Sequence, residues 1–430
     1  MKLEPVLEAI PQVRAEGQTV VTWQVHGTES RRLSLGIKDR EAGNAHAPLS
    51  LAEASSARYL LVWSDGKICR GTLERHQDPR AAFEEARATA YDDPDAAHVL
   101  GPDAFADVLL WDDSTAAIAG GDTALIADRL AHVRELIAAA GAKTWSGSFS
   151  AGASDSRLVT SNGLDTTSRG TSFGWFVNVD GEAGDGFGAR RPESDEDFRA
   201  RLAQLMETAA NLATDTPPIE AGTHRVLLHP RVVESYMLST LMQNIDGSAV
   251  AHQESAFNRD DFGSDAPKLR HDIGLSIDPL QPYKAGSYRF TGYGLPAAPC
   301  TFVENGRLVQ PILDIKYGRR LGLKPTPVPF GPDAASFGTP DRMAYEDALK
   351  QTDVMVLSVL GVHTQDRISG DFSLSAPLAL AIRQGHAAGR LRGTISGNAW
   401  ETLNSPELTF VDVPHEVTPG MLFPCRFDAR

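Results

Sequence analysis

The chain has 430 residues, of which 42% are hydrophobic and 23% are charged, and its formal net charge at pH 7 is −15. This composition is ordinary for a globular protein of two or three domains, and its apolar runs fall far short of the roughly 20 residues that cross a bilayer. The negative charge and the scattered basic residues disfavour a nucleic-acid-binding surface, which needs clustered Lys and Arg.

The first residues and the cysteines predict the compartment. The sequence MKLEPVLEAIPQVRAEG has acidic residues and two prolines where a secretory signal has a basic start and an apolar run. Cys69, Cys300 and Cys425 are far apart and form no C-x-x-C pair, so they predict neither a disulfide framework nor a cysteine zinc cluster. We therefore expect a cytoplasmic protein.

The first 142 residues predict two strands, a hairpin and two helices. Residues 19–25 and 57–63 have the β-branched and aromatic content of strands, and Asp65-Gly66 after the second one is a hairpin turn signal. Residues 81–91 and 124–142 have apolar side chains at helical spacing. Packing on one face explains these helices without any chemistry.

Residues 143–180 predict an antiparallel meander whose outward face is rich in Ser and Thr. Two alternating runs flank Asn162-Gly163, a strong turn signal. The glycine-rich residues 181–191 then predict a mobile loop, and 194–212 predict a helix with Ser194 as its N-cap.

The stretch 214–222 predicts a linker. We place the domain boundary there, with an N-terminal α/β domain at 1–215 and a mostly β domain at 216–430. The second half contains a hairpin signal at Asn305-Gly306, two apolar strands, and a last predicted strand at 408–413.

The stretch VLLHPRVVESYMLSTLMQNI (226–245) raises the question of a zinc-binding helix. Such a helix needs two histidines on one face with a glutamate beside one of them. His229 precedes Pro230, so it is expected at or before the helix start, with Glu234 more than a turn away. His415-Glu416 also lacks a second ligand, because Pro419 and Gly420 stand where a second histidine would be required.

The other chemical possibilities in the sequence are few. There is no phosphate-binding G-x-x-x-x-G-K-[ST] motif. His252 with Glu254, and His271 with Asp272, form an alternative set for a relocated hydrolytic site, although satisfied polar loop residues explain both pairs. We predict no catalytic residue in this chain.

Four ordered stretches resemble the TldD/PmbA family, and its PmbA (TldE) branch in particular. They are TSNGLDTTSRGTSFGWF (160–176), SIDPLQPYKAGSYRFTGYGLPAAPCTFVENGRLVQPILDIKYGRRLGL (276–323), GVHTQDRISGDFSLSAPLA (361–379) and SGNAWETLNS (396–405). The resemblance implies an α+β fold with two domains, an N-terminal α/β domain and a C-terminal mostly β domain with a curved, barrel-like sheet.

The resemblance also implies that zinc belongs to a partner. In this family a TldD-type subunit carries H-E-x-x-x-H and a later cysteine ligand, and a paralogous subunit lacks them. That motif falls here on Leu238, Ser239 and Gln243, and Cys425 lacks the glycine-rich context of the ligand cysteine. We therefore expect no metal bound by this chain and zinc in a TldD-type partner.

The expected function is that of the zinc-free subunit of a heteromeric TldD/TldE-type metallopeptidase, which processes unfolded peptides. This chain would contribute chamber walls and hold the peptide as an extended strand. The alternative is a stand-alone homodimeric peptide-binding protein without proteolytic activity, which the departure from the family pattern at 378–390 favours. The candidate peptide-binding or interface residues are Ser161, Asn162, Gly163, Thr171, Phe173, Gly370, Asp371, Phe372 and Ser373.

Overall fold

Long antiparallel strands form the N-terminal half of the computed structural model, which describes residues 3–39 and 48–430. The sheet has the order β4-β3-β2-β5-β6-β7, with the short β1 paired to β2. Its strands are β1 Arg14–Ala15, β2 Gln18–Asp39, β3 Leu49–Trp63, β4 Ile68–Glu74, β5 Trp145–Thr160, β6 Asp165–Val179 and β7 Ala183–Ala189.

Five helices cover two ends of one face of this sheet. They are α1 Glu4–Ala9, α2 Pro79–Ala86, α3 Asp113–Ala119, α4 Ala124–Ala139 and α5 Asp195–Leu212. Side chains cap three of them: Asp78 accepts from the Ala81 amide, Asp112 from Thr115 and Ser194 from Asp197. The first two helices enclose one apolar cluster, and the other three enclose a second one.

The C-terminal half is built around a closed barrel of five strands. β8 pairs in parallel with β14 and antiparallel with β18, and β14, β15, β16 and β18 complete the ring. The barrel strands are β8 Gly222–Leu228, β14 Val354–Leu360, β15 Asp371–Arg383, β16 His386–Asn398 and β18 Gly420–Ala429. Closure leaves no open edge, and apolar side chains fill the interior.

Smaller elements surround the barrel. A second sheet has the order β11-β10-β9-β12, and β13 and β17 extend the barrel sheet beside β18. The strands are β9 Gly274–Ile277, β10 Cys300–Glu304, β11 Arg307–Leu308, β12 Ala335–Gly338, β13 Met343–Ala344 and β17 Thr409–Asp412. The helices are α6 Pro230–Val232, α7 Ser239–Asn244, α8 Gly247–His252, α9 Ile315–Leu321, α10 Tyr345–Lys350 and α11 Ala399–Asn404.

Much of the predicted local structure is present. The α+β class and the barrel are confirmed, and the turns at Asp65-Gly66, Asn162-Gly163 and Asn305-Gly306 each join two antiparallel strands. The helix predicted over 81–91 is shorter and ends in a 3₁₀ turn, Arg87–Thr89. The division into domains at 215 stays a prediction. One apolar cluster contains both Phe173 of β6 and Leu380 of β15, so side-chain packing continues across the predicted boundary.

Two predictions are wrong. Residues 181–191 do not form a loop, because β7 pairs with β6 from Ala183 to Ala189. The strand at 408–413 is not the last one, because β18 follows it and closes the barrel. None of the described helices is long and apolar enough to cross a membrane.

Candidate functional site

The helix-containing stretch between β8 and α8 begins as the sequence predicts. His229 is the N-cap of α6, and its Nδ1 accepts a hydrogen bond from the Arg231 amide at 3.3 Å. Pro230 takes the first helical position, where its missing N–H costs nothing. Burial, with Arg231 adding to the effect, lowers the pKa of His229 to about 3, so this ring is neutral near pH 7.

A π-helical turn, Val233–Leu238, separates α6 from α7. Such turns insert one residue into a helix and often occur at functional sites. Tyr236 and Leu238 point into the barrel core, and the Tyr236 ring meets Phe372 edge-on with centroids 5.3 Å apart. Burial raises the pKa of Tyr236 to about 12, so it stays a neutral phenol.

The three positions aligned with a zinc motif do not fit a zinc ion. Leu238 is 7% exposed and packs in the barrel core, and an alkyl side chain offers no ligand atom. Ser239 and Gln243 offer a neutral hydroxyl and an amide, which are poor substitutes for a carboxylate base and an imidazole ligand. Within residues 3–39 and 48–430, no cluster of three or more His, Cys, Asp or Glu side chains can hold a metal ion.

Cys425 does not supply a ligand either. It lies in β18, is 4% exposed, and faces the apolar barrel core. Burial raises the pKa of its thiol to about 12. Because the thiolate is the form that binds metals, this cysteine is a packing residue.

An arginine from the neighbouring loop reaches Ser239. The Arg367 Nη1 donates to Ser239 Oγ at 2.9 Å, and the Ser239 hydroxyl donates to the Ser235 carbonyl at 2.8 Å. The carbonyl of Arg367 accepts a hydrogen bond from Asn244 Nδ2 at 2.9 Å. The 361–370 loop is therefore tied to α7 at two points.

These two segments border an open cleft of about 850 Å³. Its polar lining comes from α7, α8 and the 361–370 loop, and it includes Gln243, Asp246, Ser248, His363, Gln365, Asp366 and Arg367. Of the three zinc-motif positions, Gln243 lines this cavity, and Ser239 is hydrogen-bonded to Arg367, which also lines it. We take this cleft, together with Ser239 and Gln243, as the candidate functional site.

The predicted residues of the β5–β6 turn contact other residues of the N-terminal half. Ser161 and Asn162 are exposed, but both are engaged: Ser161 Oγ accepts from the Trp23 amide, and Asn162 Nδ2 donates to the Val99 carbonyl at 2.6 Å. Gly163 has a φ of 89°, as the turn requires. Their proposed contact with a peptide stays a prediction.

Thr171 and Phe173 have interior side chains. Thr171 is 1% exposed and donates to the Arg190 carbonyl at 2.6 Å, and Phe173 is 2% exposed within an apolar cluster. The alternation of the strand instead exposes Ser172. A surface contact at this point of β6 would therefore use Ser172 rather than its two predicted neighbours.

Residues 370–373 divide in the same way. Gly370 and Phe372 are buried, and Asp371 and Ser373 are exposed. Asp371 accepts from Asn398 Nδ2 at 2.8 Å, and the Ser373 amide donates to Gln365 Oε1, a group that also lines the cleft. The structure thus brings 370–373 close to the candidate site, whereas 161–173 belong to the N-terminal sheet.

Two residues of the relocated-site alternative, Asp272 and His252, have structural partners. Arg270 donates to both carboxylate oxygens of Asp272, at 2.6 and 3.0 Å, and with burial opposing them these bonds lower the pKa of Asp272. The His252 ring packs edge-on against Tyr317. These contacts support a structural role for Asp272 and His252.

A group of partly buried charges has no signal in the sequence. Arg201 of α5 and Arg231 of α6 both bond Asp185 of β7, and Glu416 lies 3.8 Å from each arginine. Burial raises the pKa of Glu416 and of nearby Glu234. No local motif signals this group, because its members are separated by up to 231 positions and the glycine-rich sequence around Asp185 predicts a loop.

Comparison with known families identifies the chain. The model of the PmbA/TldA metallopeptidase C-terminal domain matches residues 221–424, and the model of the central domain of the same family matches residues 122–216. The chain belongs to the PmbA/TldD family. The matched segments contain most of the barrel, α6, α7 and the 361–370 loop.

Three solved structures have the same fold as this PmbA/TldD-family chain. TldE from Thermococcus kodakarensis has a TM-score of 0.76 at 16% identity, covering 96% of this chain and 97% of that one. BT3649 from Bacteroides thetaiotaomicron, named as a candidate modulator of DNA gyrase, has a TM-score of 0.77 at 14% identity, covering 99% and 97%. TM0727 from Thermotoga maritima, named in the same way, has a TM-score of 0.72 at 19% identity, covering 95% and 96%.

A relative of this PmbA/TldD-family chain is found by sequence in Methanocaldococcus jannaschii. The uncharacterized protein MJ0231 is 25% identical over 263 residues, which are 57% of this chain and 59% of that protein. The alignment thus spans less than two thirds of the relative. Because the solved structures are less than 25% identical to this chain, they establish its fold alone.

Proposed function

We propose that this chain is the zinc-free, TldE-like subunit of a two-subunit peptidase that acts on unfolded peptides. A TldD-type paralogue would supply the zinc ion and the general base, and this chain would complete the chamber. The supporting observation is an open cleft of about 850 Å³ beside the helix that corresponds to the zinc motif. The three motif positions on this helix are occupied by Leu238, Ser239 and Gln243.

The proposal assigns binding, without bond cleavage, to this chain. The helix and the cleft correspond in position to a peptidase site. The neutral side chains of Ser239 and Gln243 cannot bind zinc and activate water as a glutamate and a histidine would. An extended peptide would be held mainly through its backbone, which gives affinity with little sequence preference. The exposed residues Ser161, Asn162, Asp371 and Ser373 remain our candidates for contacts with the peptide or the partner.

Reconstitution tests the proposal. The chain is purified alone, and also after co-expression with a TldD-type paralogue from the same genome; zinc content, molar mass and hydrolysis of an unfolded fluorogenic protein are then measured. We expect near-zero zinc and no hydrolysis for the chain alone, and a mixed complex that hydrolyses the substrate until a chelator removes its zinc. About one zinc per chain, or hydrolysis by the chain alone, would refute the proposal.

The free edge of β3 favours a second candidate, a homodimeric peptide-binding protein without a zinc partner. β4 pairs only with residues 56–62 of β3, so within the described chain residues 49–55 have a strand neighbour on one side only. Leu49 and Leu51 on this segment are 56% and 57% exposed. An unprotected apolar strand edge tends to pair with another chain, here a second copy.

The molar-mass measurement separates the two candidates. A homodimer that persists in the presence of the paralogue, binds peptide and never gains activity would favour the second candidate. A Leu51→Lys variant places a charge on the edge and is expected to return such a homodimer to a monomer.

A further inference from the structure

Arg367 is a positively charged side chain with only a neutral side-chain partner. Its Nη1 donates to Ser239 Oγ, and no carboxylate of the described chain lies within 4.0 Å, the ion-pair distance, of its guanidinium. Two other half-buried arginines are each paired with a carboxylate, Arg270 with Asp272 and Arg231 with Asp185. The guanidinium of Arg367 therefore retains donors that are available to a ligand.

Arg367 borders the candidate cleft beside neutral hydrogen-bonding groups. Gln243, His363 and Gln365 line the same cavity. Gln243 takes the place of a second zinc ligand, and Ser239, which holds Arg367, takes the place of the general base. A cationic side chain thus lies next to positions that do not fit a metal cation.

The acidic residues of the cleft are engaged in their own turns. Asp246 Oδ1 accepts from the amide of Ser248 at 2.8 Å and also from its hydroxyl. Asp366 Oδ1 accepts from the amides of Ile368 and Ser369 at 2.9 and 3.2 Å, and these bonds lower the pKa of Asp366. These carboxylates cap backbone N–H groups, and neither one bonds Arg367.

We propose that the cleft binds a carboxylate of an extended peptide, with Arg367 as the anion-binding group. The guanidinium forms two parallel hydrogen bonds with a carboxylate, and Gln243 can donate a further one from its amide. Asp246, Asp366 and exposed Glu254 give the lining an excess of negative charge, so the binding energy must come from direct contact rather than from long-range attraction. The inference rests on the proposed function, since it names the peptide group that this chain holds.

Binding to the chain alone tests the proposal without any activity. The probes are three fluorescein-labelled nine-residue peptides of alanine, serine and glutamine: one with a free carboxyl end, one with an amidated end, and one amidated peptide with a central aspartate. Fluorescence anisotropy gives their dissociation constants. We expect the free acid to bind about tenfold more tightly than the plain amide, as one charge-assisted contact implies.

The third peptide identifies the source of the carboxylate. Affinity equal to that of the free acid would mean that an acidic side chain is also accepted. Affinity equal to that of the plain amide would mean that the cleft recognises the peptide terminus. Either result agrees with carboxylate binding if the free acid is preferred.

Variants of Arg367 connect the preference to this residue. Arg367→Gln is expected to abolish the difference between acid and amide, and Arg367→Lys to retain only part of it, because an ammonium lacks the planar fork. Arg383→Gln is the matched control, since Arg383 is exposed and lies outside the cleft. Thermal unfolding of each variant verifies that the fold is intact.

Three outcomes would overturn the inference: equal affinity for acid and amide, an acid preference that survives Arg367→Gln, or no binding of any probe. None of them depends on a partner subunit. A mixed complex that still hydrolyses unfolded protein would then leave the proposed function standing, so the two failures are distinguishable.

Discussion

Single residues of the 361–370 loop fix the geometry of the candidate site. Gly370 has a φ of 81°, a left-handed conformation that favours glycine. A Cβ atom there would lie 2.5 Å from Trp400 Cδ1, and the Trp400 Nε1 donates to the Ile368 carbonyl at 2.9 Å. The tryptophan therefore holds the end of the loop, and only glycine leaves room for it.

Replacing Gly370 tests this role. Gly370→Ala should lower the free energy of unfolding by about 2–4 kcal/mol, since a left-handed alanine costs about 1 kcal/mol and overpacking adds about 1–3 kcal/mol. Gly322→Ala is the matched control, because Gly322 also has a positive φ (67°) but its Cβ would meet nothing within 4 Å. Urea denaturation measures both, and equal losses would show that Trp400 does not constrain the loop.

Residue-level features were predictable where the signal is local. The Asn-Gly turns and the Ser194 cap follow from backbone preferences of a few adjacent residues. The burial of Phe173 was also readable, because Phe173, Trp175 and Val177 are alternate apolar residues of one strand. The contact between Arg367 and Ser239 could not be predicted from the sequence, because it joins positions 128 residues apart.

At the scale of elements, the two missed strands share a cause. β7 has the sequence AGDGFGA, and glycine weakens a strand when no neighbour compensates. β18 contains Pro424, which argues against a central strand. Pro424 is tolerated because β17 pairs with β18 only at Gly420, Met421 and Leu422, and β16 pairs only from Arg426 onward. On that side of β18 no ladder bond is needed at Pro424.

The closing strand should carry much of the stability of the barrel. Phe427 of β18 is fully buried in the barrel core, so Phe427→Ala should lower the free energy of unfolding by about 3–5 kcal/mol. The neighbouring Arg426 is exposed and pairs with Asp428 at the surface, so Arg426→Ala should cost less than about 1 kcal/mol. Denaturant titration compares the two, and a similar small loss for both would mean that barrel closure contributes little.

At the scale of the whole molecule, the two halves meet through apolar and charged contacts. Leu227 and Leu380 of the barrel join the cluster that covers one end of the N-terminal sheet. The predicted linker is also bonded to the barrel, because the Arg390 amide donates to the Thr214 carbonyl at 2.7 Å. Such contacts cannot be predicted from a linker signal in the sequence, since they join segments that are distant along the chain.

Asp185 is the charged centre of this junction. Its side chain is 15% exposed and bonds Arg201 of the N-terminal half and Arg231 of the C-terminal half. Arg201 also donates to the His415 carbonyl at 2.6 Å. Removing the carboxylate would leave the two arginines with Glu416, 3.8 Å from each, as their shared partner, and losing the nearer partner is the costly way to break a partly buried ion pair.

Asp185→Asn should therefore lower the free energy of unfolding by about 2–4 kcal/mol and speed proteolytic cleavage between residues 213 and 222, because the halves separate more often. Asp155→Asn is the control: its pair with Arg169 has side chains 70% and 57% exposed at 3.7 Å, and such pairs contribute less than about 1 kcal/mol. Thermal unfolding and timed proteolysis measure both effects. Cleavage that is unchanged in Asp185→Asn, despite lower stability, would mean that the halves unfold as one unit and that the predicted division at residue 215 does not mark two independent domains.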